Sequence, residues 1–295
     1  MFNTHRAAQF ASYQKAHAHL VANPQILIDL EKMLTDHVVG VLRANLAEIR
    51  RDYDEASFLY AFWQEYPPDD RGRQPVGDQV PWIEVGEHSV GAKLPRFLSQ
   101  TFAVSDPGLP TGADQRFVLK SEAVLKTTRR FSNAAWLFVD IKSVGPRDDA
   151  DHTVMSHNQV SGDGIWNSPN VGVKNTILKA SGARTSHDFH CGIPPLYVLS
   201  DGTLAPSVII AVKPVYQMIK GAKGGRNVGQ PLERIDVACI PNGILLTVQP
   251  NYLQKYPGLL FPGKDDKGKN ALKVRARVSF KLLRQIAPWR HQSIR

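Results

Sequence analysis

The chain has 295 residues, of which 42% are hydrophobic, and its 36 Lys and Arg residues exceed its 27 Asp and Glu residues to give a formal net charge of +9. The apolar fraction suffices for a sizeable core, and the lack of any long apolar run argues against a secretion signal and a membrane span. The basic excess favours an anionic partner, with nucleic acid ahead of a membrane surface.

The two cysteines, Cys191 and Cys239, lie far apart and form no Cys-x-x-Cys pattern. Neither a disulfide framework nor a cysteine-based zinc site is therefore expected. Together with the absence of a signal peptide, this predicts a soluble, cytoplasmic protein that does not associate with a membrane.

The first part of the chain, to about residue 65, is predicted to be helical. Apolar residues recur there at the spacing of one helix face: Leu30, Leu34, Val38, Leu42, Leu46 and Ile49. A Pro-, Gly- and Asp-rich stretch at 66–81 predicts a loop, and a second helical segment is expected at about 83–99.

Beyond residue 110 the pattern indicates strands. The candidates are residues 116–119, 136–141, 208–216, 235–240, 244–249 and 273–283, separated by prolines and glycines. Residues 162–186 show no clear period and are expected to form a long surface loop. Helices followed by a mixed or antiparallel sheet predict one α/β domain over residues 1–295, with the sheet at about 105–285.

The segment WLFVDIKSVGPRD, residues 136–148, carries the most chemical information. An apolar strand leads into Asp140-Ile141-Lys142, and alternation along a strand places Asp140 and Lys142 on one face. Phosphodiester hydrolysis needs a hard dication, which is held by carboxylates and activates water, and a nearby lysine can stabilise the developing charge. Asp114, 140 − 114 = 26 residues upstream and just before a candidate strand, is the expected second carboxylate.

This acidic-x-Lys pattern occurs twice in the chain, at residues 140–142 and at residues 265–267. The first copy ends an apolar strand, which can hold a metal site rigidly, whereas the second lies in the polar loop PGKDDKGKN. A surface salt pair remains an alternative interpretation of the first copy from the pattern alone.

Residues 273–282 alternate strictly between basic or polar and apolar side chains. Arg275 and Arg277 lie on the cationic face, and arginine suits bidentate recognition of guanine O6 and N7. A solvated edge strand that carries Lys and Arg to prevent aggregation is the competing interpretation.

Several long segments resemble type II restriction endonucleases of the PD-(D/E)xK superfamily. They are EYPPDDRG, GDQVPWIEVGE, GLPTGADQRF, FVDIKSVGPRD, NQVSG, IPPLYVLSDGTLAP, PNG and PGKDD. The resemblance implies the restriction-endonuclease-like fold, with a central mixed β-sheet flanked by helices. It also implies that Asp114, Asp140 and the Ile141 carbonyl hold magnesium, two Mg²⁺ ions in each active site, and that Lys142 is the catalytic lysine.

The resemblance further implies a homodimer that cleaves double-stranded DNA at the interrupted palindrome GCCNNNNNGGC. A cognate DNA methyltransferase is expected in the same restriction–modification system, without direct contact. The residues implied to read the bases are Asp148, Lys264, Asp266, Arg275 and Arg277.

Two other functions stay open on the sequence: a DNA-binding relative without catalysis, and a structure-selective nuclease of the same fold. The Asp114, Asp140 and Lys142 set favours catalysis, since binding alone does not require it. Two further acidic residues, Glu84 and Glu87, could support the metal ligands or be ordinary helix surface, and the second interpretation is preferred.

Overall fold

The structure is a computed structural model that describes residues 2–65, 85–108, 111–145, 150–220, 227–263 and 274–295. The chain begins with three helices, α1 (Phe2–Ala22), α2 (Gln25–Ala44) and α3 (Leu46–Glu65), which confirms the helical prediction. The apolar stripe of α2 is fully buried and packs on the large sheet.

The strands follow in chain order: β1 Ala103–Ser105, β2 Gln115–Lys120, β3 Ala134–Ile141, β4 His152–Ser156, β5 Leu178–Ser181, β6 Ser186–Phe189, β7 Leu196–Val198, β8 Leu204–Tyr216, β9 Ile219–Lys220, β10 Asn227–Gly229, β11 Leu232–Ile240, β12 Leu260–Pro262, β13 Arg275–Ser279 and β14 His291–Ile294. The predicted strands at 116–119, 136–141, 208–216 and 235–240 correspond to β2, β3, β8 and β11.

The central sheet has the order β1-β2-β3-β8-β11-β14, and β7 pairs with β8. Its neighbours are antiparallel except for β3 and β8, which run parallel. The sheet is therefore mixed, and helices cover it. Strand β3 is buried throughout, with Trp136 and Phe138 in the core on one face, and Leu137 and Val139 in the core on the other.

A separate three-stranded sheet, called the small sheet below, has the order β12-β13-β4, with both pairs antiparallel. The expectation that one sheet over residues 105–285 carries both the catalytic strand and the basic strand is therefore wrong. The short pairs β5–β6 and β9–β10 stand apart from both sheets. Residues 162–186 are also not simply a surface loop, because they include β5, on which Leu178 and Ala180 are buried.

Two predicted strands are wholly or partly helical, and in each case a side-chain cap explains the difference. Residues 244–249 lie mostly in a helix at Gly243–Thr247, where the Asn242 side chain accepts a hydrogen bond from the Ile244 N–H. The basic strand ends at Ser279, whose side chain accepts from the Leu282 N–H and begins a helix at Phe280–Ile286. Caps of this kind satisfy N–H groups that a helix start leaves unpaired.

The remaining described helices are short: a π-helical turn at Glu87–Gly91, α-helices at Leu94–Leu98, Glu122–Thr127 and Tyr252–Lys255, and 3-10 turns at His157–Gln159 and Pro288–Arg290. The single helix expected at 83–99 is thus divided within its described part. Among the described residues, none of the helices combines the length and the apolar character that crossing a bilayer requires.

A fully buried ion pair joins the N-terminal helices to the C-terminal end. The carboxylate of Glu31 on α2 lies 2.6 Å from a terminal nitrogen of Arg290. Glu31 also accepts a hydrogen bond from the Asn242 N–H at 2.6 Å, and the Arg290 guanidinium stacks over the Trp289 ring. The pair ties together three segments that are distant in sequence.

Candidate active site

The register of β2 and β3 brings the two predicted carboxylates together. These strands are antiparallel, and Gln115 lies opposite Val139. Asp114 comes directly before β2, so it faces the end of β3. One carboxylate oxygen of Asp114, Oδ2, accepts a hydrogen bond from the Ile141 N–H at 2.6 Å, which holds the carboxylate beside Asp140 and Ile141.

The strand alternation predicted for residues 139–142 is present. Val139 and Ile141 are buried in the core, and Asp140 and Lys142 share the opposite face. Lys142 Nζ lies 2.9 Å from each Asp140 oxygen, but it satisfies hydrogen-bond geometry only at Oδ1. The Asp140 side chain is 1% exposed and that of Lys142 is 31% exposed, so the ammonium group reaches from solvent to a buried carboxylate.

Burial raises the pKa of Asp140 from its ordinary value of 3.8 to about 7. The Lys142 ammonium opposes this shift, while the negative charges of Asp114 and Glu87 add to it. Desolvation and like charges both disfavour an ionised carboxylate. A bound cation favours the ionised carboxylate and so opposes both effects. The Asp140 carboxylate is therefore suited to hold a cation. The contribution of Glu87 to this pKa favours a place beside the site for this residue over the preferred interpretation as ordinary helix surface.

The oxygen atoms at the site fit a hard dication. Asp140 Oδ2 is buried and has no hydrogen-bond partner among the described residues. Carboxylate and backbone carbonyl oxygens are the donors that Mg²⁺ prefers. No cluster of three or more His, Cys, Asp or Glu side chains suited to a metal occurs within the described ranges. The candidate oxygen donors among the described residues are therefore two carboxylates and a backbone carbonyl such as that of Ile141. Glu84 and Asp148 lie outside the described residues.

A further polar side chain at this centre, that of Gln159, was not predicted from the sequence. Its Nε2 donates to Asp140 Oδ1 at 2.5 Å and to the Gly112 carbonyl at 2.8 Å. Its Oε1 accepts from the Ser156 N–H at 2.7 Å. The spacing Ser156-x-x-Gln159 is that of a capping box, which accounts for the contact with Ser156, but no local pattern indicates the contacts with Asp140 and Gly112.

Of the five residues predicted to read bases, the structure places two. Arg275 and Arg277 lie on β13, where Arg275 is exposed and Arg277 half-buried, and the alternating residues Ala276 and Val278 are buried. The strict alternation predicted for this strand is confirmed as far as Ser279. The other three positions, Asp148, Lys264 and Asp266, are outside the described residues.

Arg277 and the small sheet are linked to the central sheet through His152 and Lys213. Arg277 Nε donates to His152 Nε2 at 3.0 Å, and Lys213 Nζ donates to the His152 carbonyl at 2.7 Å. Lys213 is only 3% exposed, so it belongs to the interior and not to the protein surface. It lies on β8, whose side chains are buried along almost the whole strand.

Comparisons with known proteins agree on one relative. A family model described as restriction endonuclease BglI matches residues 8–294. The type II restriction enzyme BglI of Bacillus subtilis is 45% identical over 292 residues, which cover 98% of this chain and 97% of that protein. The crystal structure of restriction endonuclease BglI bound to its DNA recognition sequence matches with a TM-score of 0.91 and covers 100% of this chain and 99% of that one.

A more distant match is the tetrameric restriction endonuclease SfiI bound to cognate DNA. It has a TM-score of 0.59 and 17% identity, with coverage of 90% of this chain and 83% of that chain. At this identity the match shows a shared fold alone.

The fold and the two 45%-identical matches define a type II restriction endonuclease, an enzyme that hydrolyses DNA at a specific site; dependence on a divalent metal is general for this class. More narrowly, the chain belongs to the BglI family of restriction endonucleases. The resemblance seen in the sequence segments and the predicted α/β fold with a central mixed sheet are thus confirmed.

Proposed function

We propose that this enzyme cleaves double-stranded DNA at the interrupted palindrome GCCNNNNNGGC and that its cofactor is Mg²⁺, with two ions in each active site. The observation that carries this proposal is the convergence of Asp114 and Asp140 beside the Lys142 ammonium group. The 45% identity to BglI over 98% of the chain supports the choice of recognition sequence.

The proposed metal ligands are the carboxylates of Asp114 and Asp140 and the backbone carbonyl of Ile141. When bound, Mg²⁺ lowers the pKa of a coordinated water and neutralises charge on the phosphoryl oxygens. Asp140 presents Oδ2 for this purpose, because Gln159 occupies Oδ1, and Oδ2 has the Lys142 ammonium 2.9 Å away but accepts no hydrogen bond among the described residues. Asp114 is fixed by its hydrogen bond to the Ile141 N–H, so it needs little reorganisation to bind an ion.

Lys142 is the proposed catalytic lysine. Its ammonium group sits at the boundary between the buried Asp140 carboxylate and solvent, which is where the scissile phosphate approaches. At that position it orients the attacking water and stabilises negative charge that develops on the phosphoryl oxygens. Lysine suits this task because its charge is compact and its three donors rotate freely.

Base reading is proposed for Arg275 and Arg277 on β13, together with Asp148, Lys264 and Asp266. Arginine and lysine match the O6 and N7 acceptors of guanine, and aspartate accepts from cytosine N4. A recognition site of G·C pairs alone fits this mixture of side chains. The exposure of Arg275 and the partial exposure of Arg277 leave both available at the protein surface.

A homodimer is proposed because the recognition site is two-fold symmetric. In such an assembly each subunit reads and cuts one half-site. The cognate DNA methyltransferase is proposed to act on the same sequence as a separate enzyme, without forming part of this complex.

The experiment that tests the proposal is a digest of two plasmids with the purified enzyme and Mg²⁺. One plasmid carries a single GCCNNNNNGGC site, and its matched control carries the same site with one G·C pair exchanged. We expect one cut in the first plasmid and none in the second, mapped by sequencing the ends. Smearing of both plasmids would favour a nuclease without sequence specificity, and two intact plasmids would favour a binding protein without catalysis.

The Asp140→Ala variant tests the active site in the same assay. We expect it to leave the plasmid intact while it still retards a duplex that carries the site in a gel. Full cleavage by this variant would eliminate the proposed metal centre.

A further inference from the structure

The Gln159 side chain connects three parts of the structure through one amide group. It donates to Asp140 at the end of β3 and to the Gly112 carbonyl two residues before Asp114, and it accepts from the Ser156 N–H at the end of β4. Both N–H groups and the oxygen of the amide are thus engaged, which leaves the side chain one orientation. Gln159 is only 6% exposed, so water does not compete strongly for these contacts.

The segment that carries Gln159 is tightly packed against its neighbours. A β-carbon added at Gly112 would lie 2.2 Å from the Asn158 side chain, and one added at Gly192 would lie 3.1 Å from the Asn158 Cα. The His157 carbonyl accepts from the Gly192 N–H at 2.6 Å. A displacement of β4 along its own axis is therefore transmitted to Gln159 rather than absorbed by a loose connection.

The same segment is a direct continuation of the small sheet. Strand β4 ends at Ser156, and Ser156 is the register partner of Arg275 on β13, as Val154 is of Arg277. The peptide N–H that fixes the Gln159 amide thus belongs to the residue opposite Arg275. Gln159, which binds Asp140, lies three positions after the residue that pairs with the basic strand.

At its other end, the Gln159 amide fixes the orientation of the Asp140 carboxylate. Gln159 Nε2 binds Oδ1 and Lys142 Nζ lies 2.9 Å from both oxygens, whereas Oδ2 is buried and accepts no hydrogen bond among the described residues. Tilting of the carboxylate plane would break the contact with Gln159 and change the direction in which the other oxygen points. A group that orients a metal-binding side chain in this way commonly changes metal affinity or activity 10- to 100-fold when it is removed.

We propose that Gln159 is a positioning residue that couples base reading by the small sheet to the metal-binding geometry of Asp140. This inference rests on the proposed function, in which Arg275 and Arg277 read bases and Asp140 binds Mg²⁺. Correct contact of β13 with the recognition sequence fixes the position of β4. The position of β4 fixes the orientation of the Gln159 amide, and the amide fixes the orientation of the Asp140 carboxylate. An incorrect base pair leaves Asp140 less well oriented, so discrimination arises in the cleavage step as well as in binding.

The test compares the wild type with Gln159→Met, which keeps the length of the side chain and removes all three contacts. A second variant, Gln159→Asn, keeps an amide that is too short to reach both Ser156 and Asp140. The matched control is Gln230→Met, because Gln230 is also fully buried but lies at the turn into β11 beside α3. Thermal melts establish whether each variant is folded. If Gln159→Met does not fold, the Gln159→Asn variant provides the test.

Three quantities separate a positioning role from a merely structural one. They are the affinity for a cognate duplex in EDTA, the Mn²⁺ affinity of the DNA-free protein by EPR titration, and the single-turnover cleavage rates with Mg²⁺ on cognate and singly substituted duplexes. For the Gln159 variants we expect DNA affinity within about threefold of wild type, and Mn²⁺ affinity and cognate cleavage lower by roughly 10- to 100-fold. The ratio of cognate to substituted cleavage should fall by at least about tenfold, while Gln230→Met keeps all three quantities.

Unchanged Mn²⁺ affinity and an unchanged cleavage ratio in a folded Gln159 variant would overturn the inference. The same holds if DNA affinity falls in parallel with cleavage, since the residue would then support binding alone. If the wild type itself cuts no duplex with Mg²⁺, the proposed function fails, and the Mn²⁺ titration still reports whether Gln159 positions Asp140. The two failures are therefore distinguishable.

Discussion

Arg277 on β13 and His152 on β4 form a hydrogen bond of 3.0 Å between the guanidinium Nε and the imidazole Nε2. The histidine ring is itself held, because it meets Phe261 of β12 edge-on and its backbone carbonyl accepts from the buried Lys213 ammonium. A guanidinium fixed at Nε has its two terminal nitrogens pre-oriented, and this pair matches guanine O6 and N7. The contact therefore favours base reading over loose attraction to the DNA backbone.

Replacement of this arginine should cost specificity. For Arg277→Ala we expect cognate DNA affinity to fall by about 1–3 kcal/mol, with loss of discrimination at one base pair of each half-site. Competition gel shifts in EDTA, with duplexes altered at each G·C pair in turn, measure both effects. Arg96→Ala, which removes an exposed arginine paired with Glu48, is the matched control. Equal weakening on every sequence would instead identify Arg277 as a phosphate contact.

The ammonium group of Lys142 should be required for cleavage but not for recognition. For Lys142→Met we expect single-turnover cleavage to fall by at least about 100-fold, since a charge aimed at the developing negative charge is lost. Affinity for the cognate duplex in EDTA should stay within a few-fold of wild type. Lys142→Arg keeps the charge in a broader, planar group and should recover only part of the rate. Near-normal cleavage by Lys142→Met would remove this residue from the mechanism.

The raised pKa of Asp140 predicts a pH-dependent stability of the metal-free protein. Because the pKa is about 7 in the folded state against an ordinary 3.8, the folded protein binds a proton more tightly than the unfolded chain. The contribution of this group to the free energy of unfolding is therefore complete at low pH and declines as the pH rises from about 4 to 7. Asp140→Asn removes the ionisation, so in EDTA it should be more stable than wild type by roughly 2–4 kcal/mol at pH 8.

Chemical denaturation of both proteins from pH 5 to pH 8 in EDTA measures this difference. The advantage of Asp140→Asn should shrink as the pH is lowered. In excess Mg²⁺ the difference should narrow or reverse, because ion binding stabilises only the wild type. A difference that is the same at every pH would show that Asp140 is ionised without cost in the folded protein.

The buried pair of Glu31 and Arg290 should matter for stability and not for catalysis. Arg290→Met leaves the Glu31 carboxylate buried without its cation, and such a loss costs about 3–5 kcal/mol. The matched control is Lys32→Ala, which removes the exposed pair of Lys32 and Asp36 and should cost under about 1 kcal/mol. Denaturant titrations compare the two variants, and single-turnover cleavage below the unfolding transition should be retained by both. A small effect of Arg290→Met would mean that Glu31 is satisfied by other groups.

The centre of the site could be predicted from the sequence because its geometry follows from local rules. An apolar strand with a period of two fixes the side of β3 on which Asp140 and Lys142 lie, and a neighbouring antiparallel strand brings Asp114 to the same end. The convergence of Asp114 and Asp140 needed no knowledge of the rest of the fold. Their roles, like those of Ile141 and the base-reading residues, stay predictions until the variants are measured.

Other features escaped prediction because they depend on contacts distant in the sequence or on single side chains. Residues 280–282 continue the alternation of β13, yet the Ser279 hydroxyl turns the chain into a helix. Two partners of Gln159, Asp140 and Gly112, lie in other segments of the chain, and no period connects them with Gln159. Lys213 lies in a strand with an apolar sequence, and only its hydrogen bond to the His152 carbonyl of the small sheet shows what a buried ammonium binds there.

Strands β3 and β8 are parallel neighbours, so the chain between them must cross from one end of the central sheet to the other. In many α/β proteins a single helix makes this crossing, whereas here the crossing includes β4 and the turn with Gln159. Under the proposed function, bases are read from the small sheet, to which this connection contributes β4 and the later chain contributes β13, outside the strands that carry Asp114 and Asp140. Because β4 and β13 pair, an exchange of this connection together with β13 between family members should yield working chimaeras. Exchange of either segment alone should leave β4 and β13 mismatched.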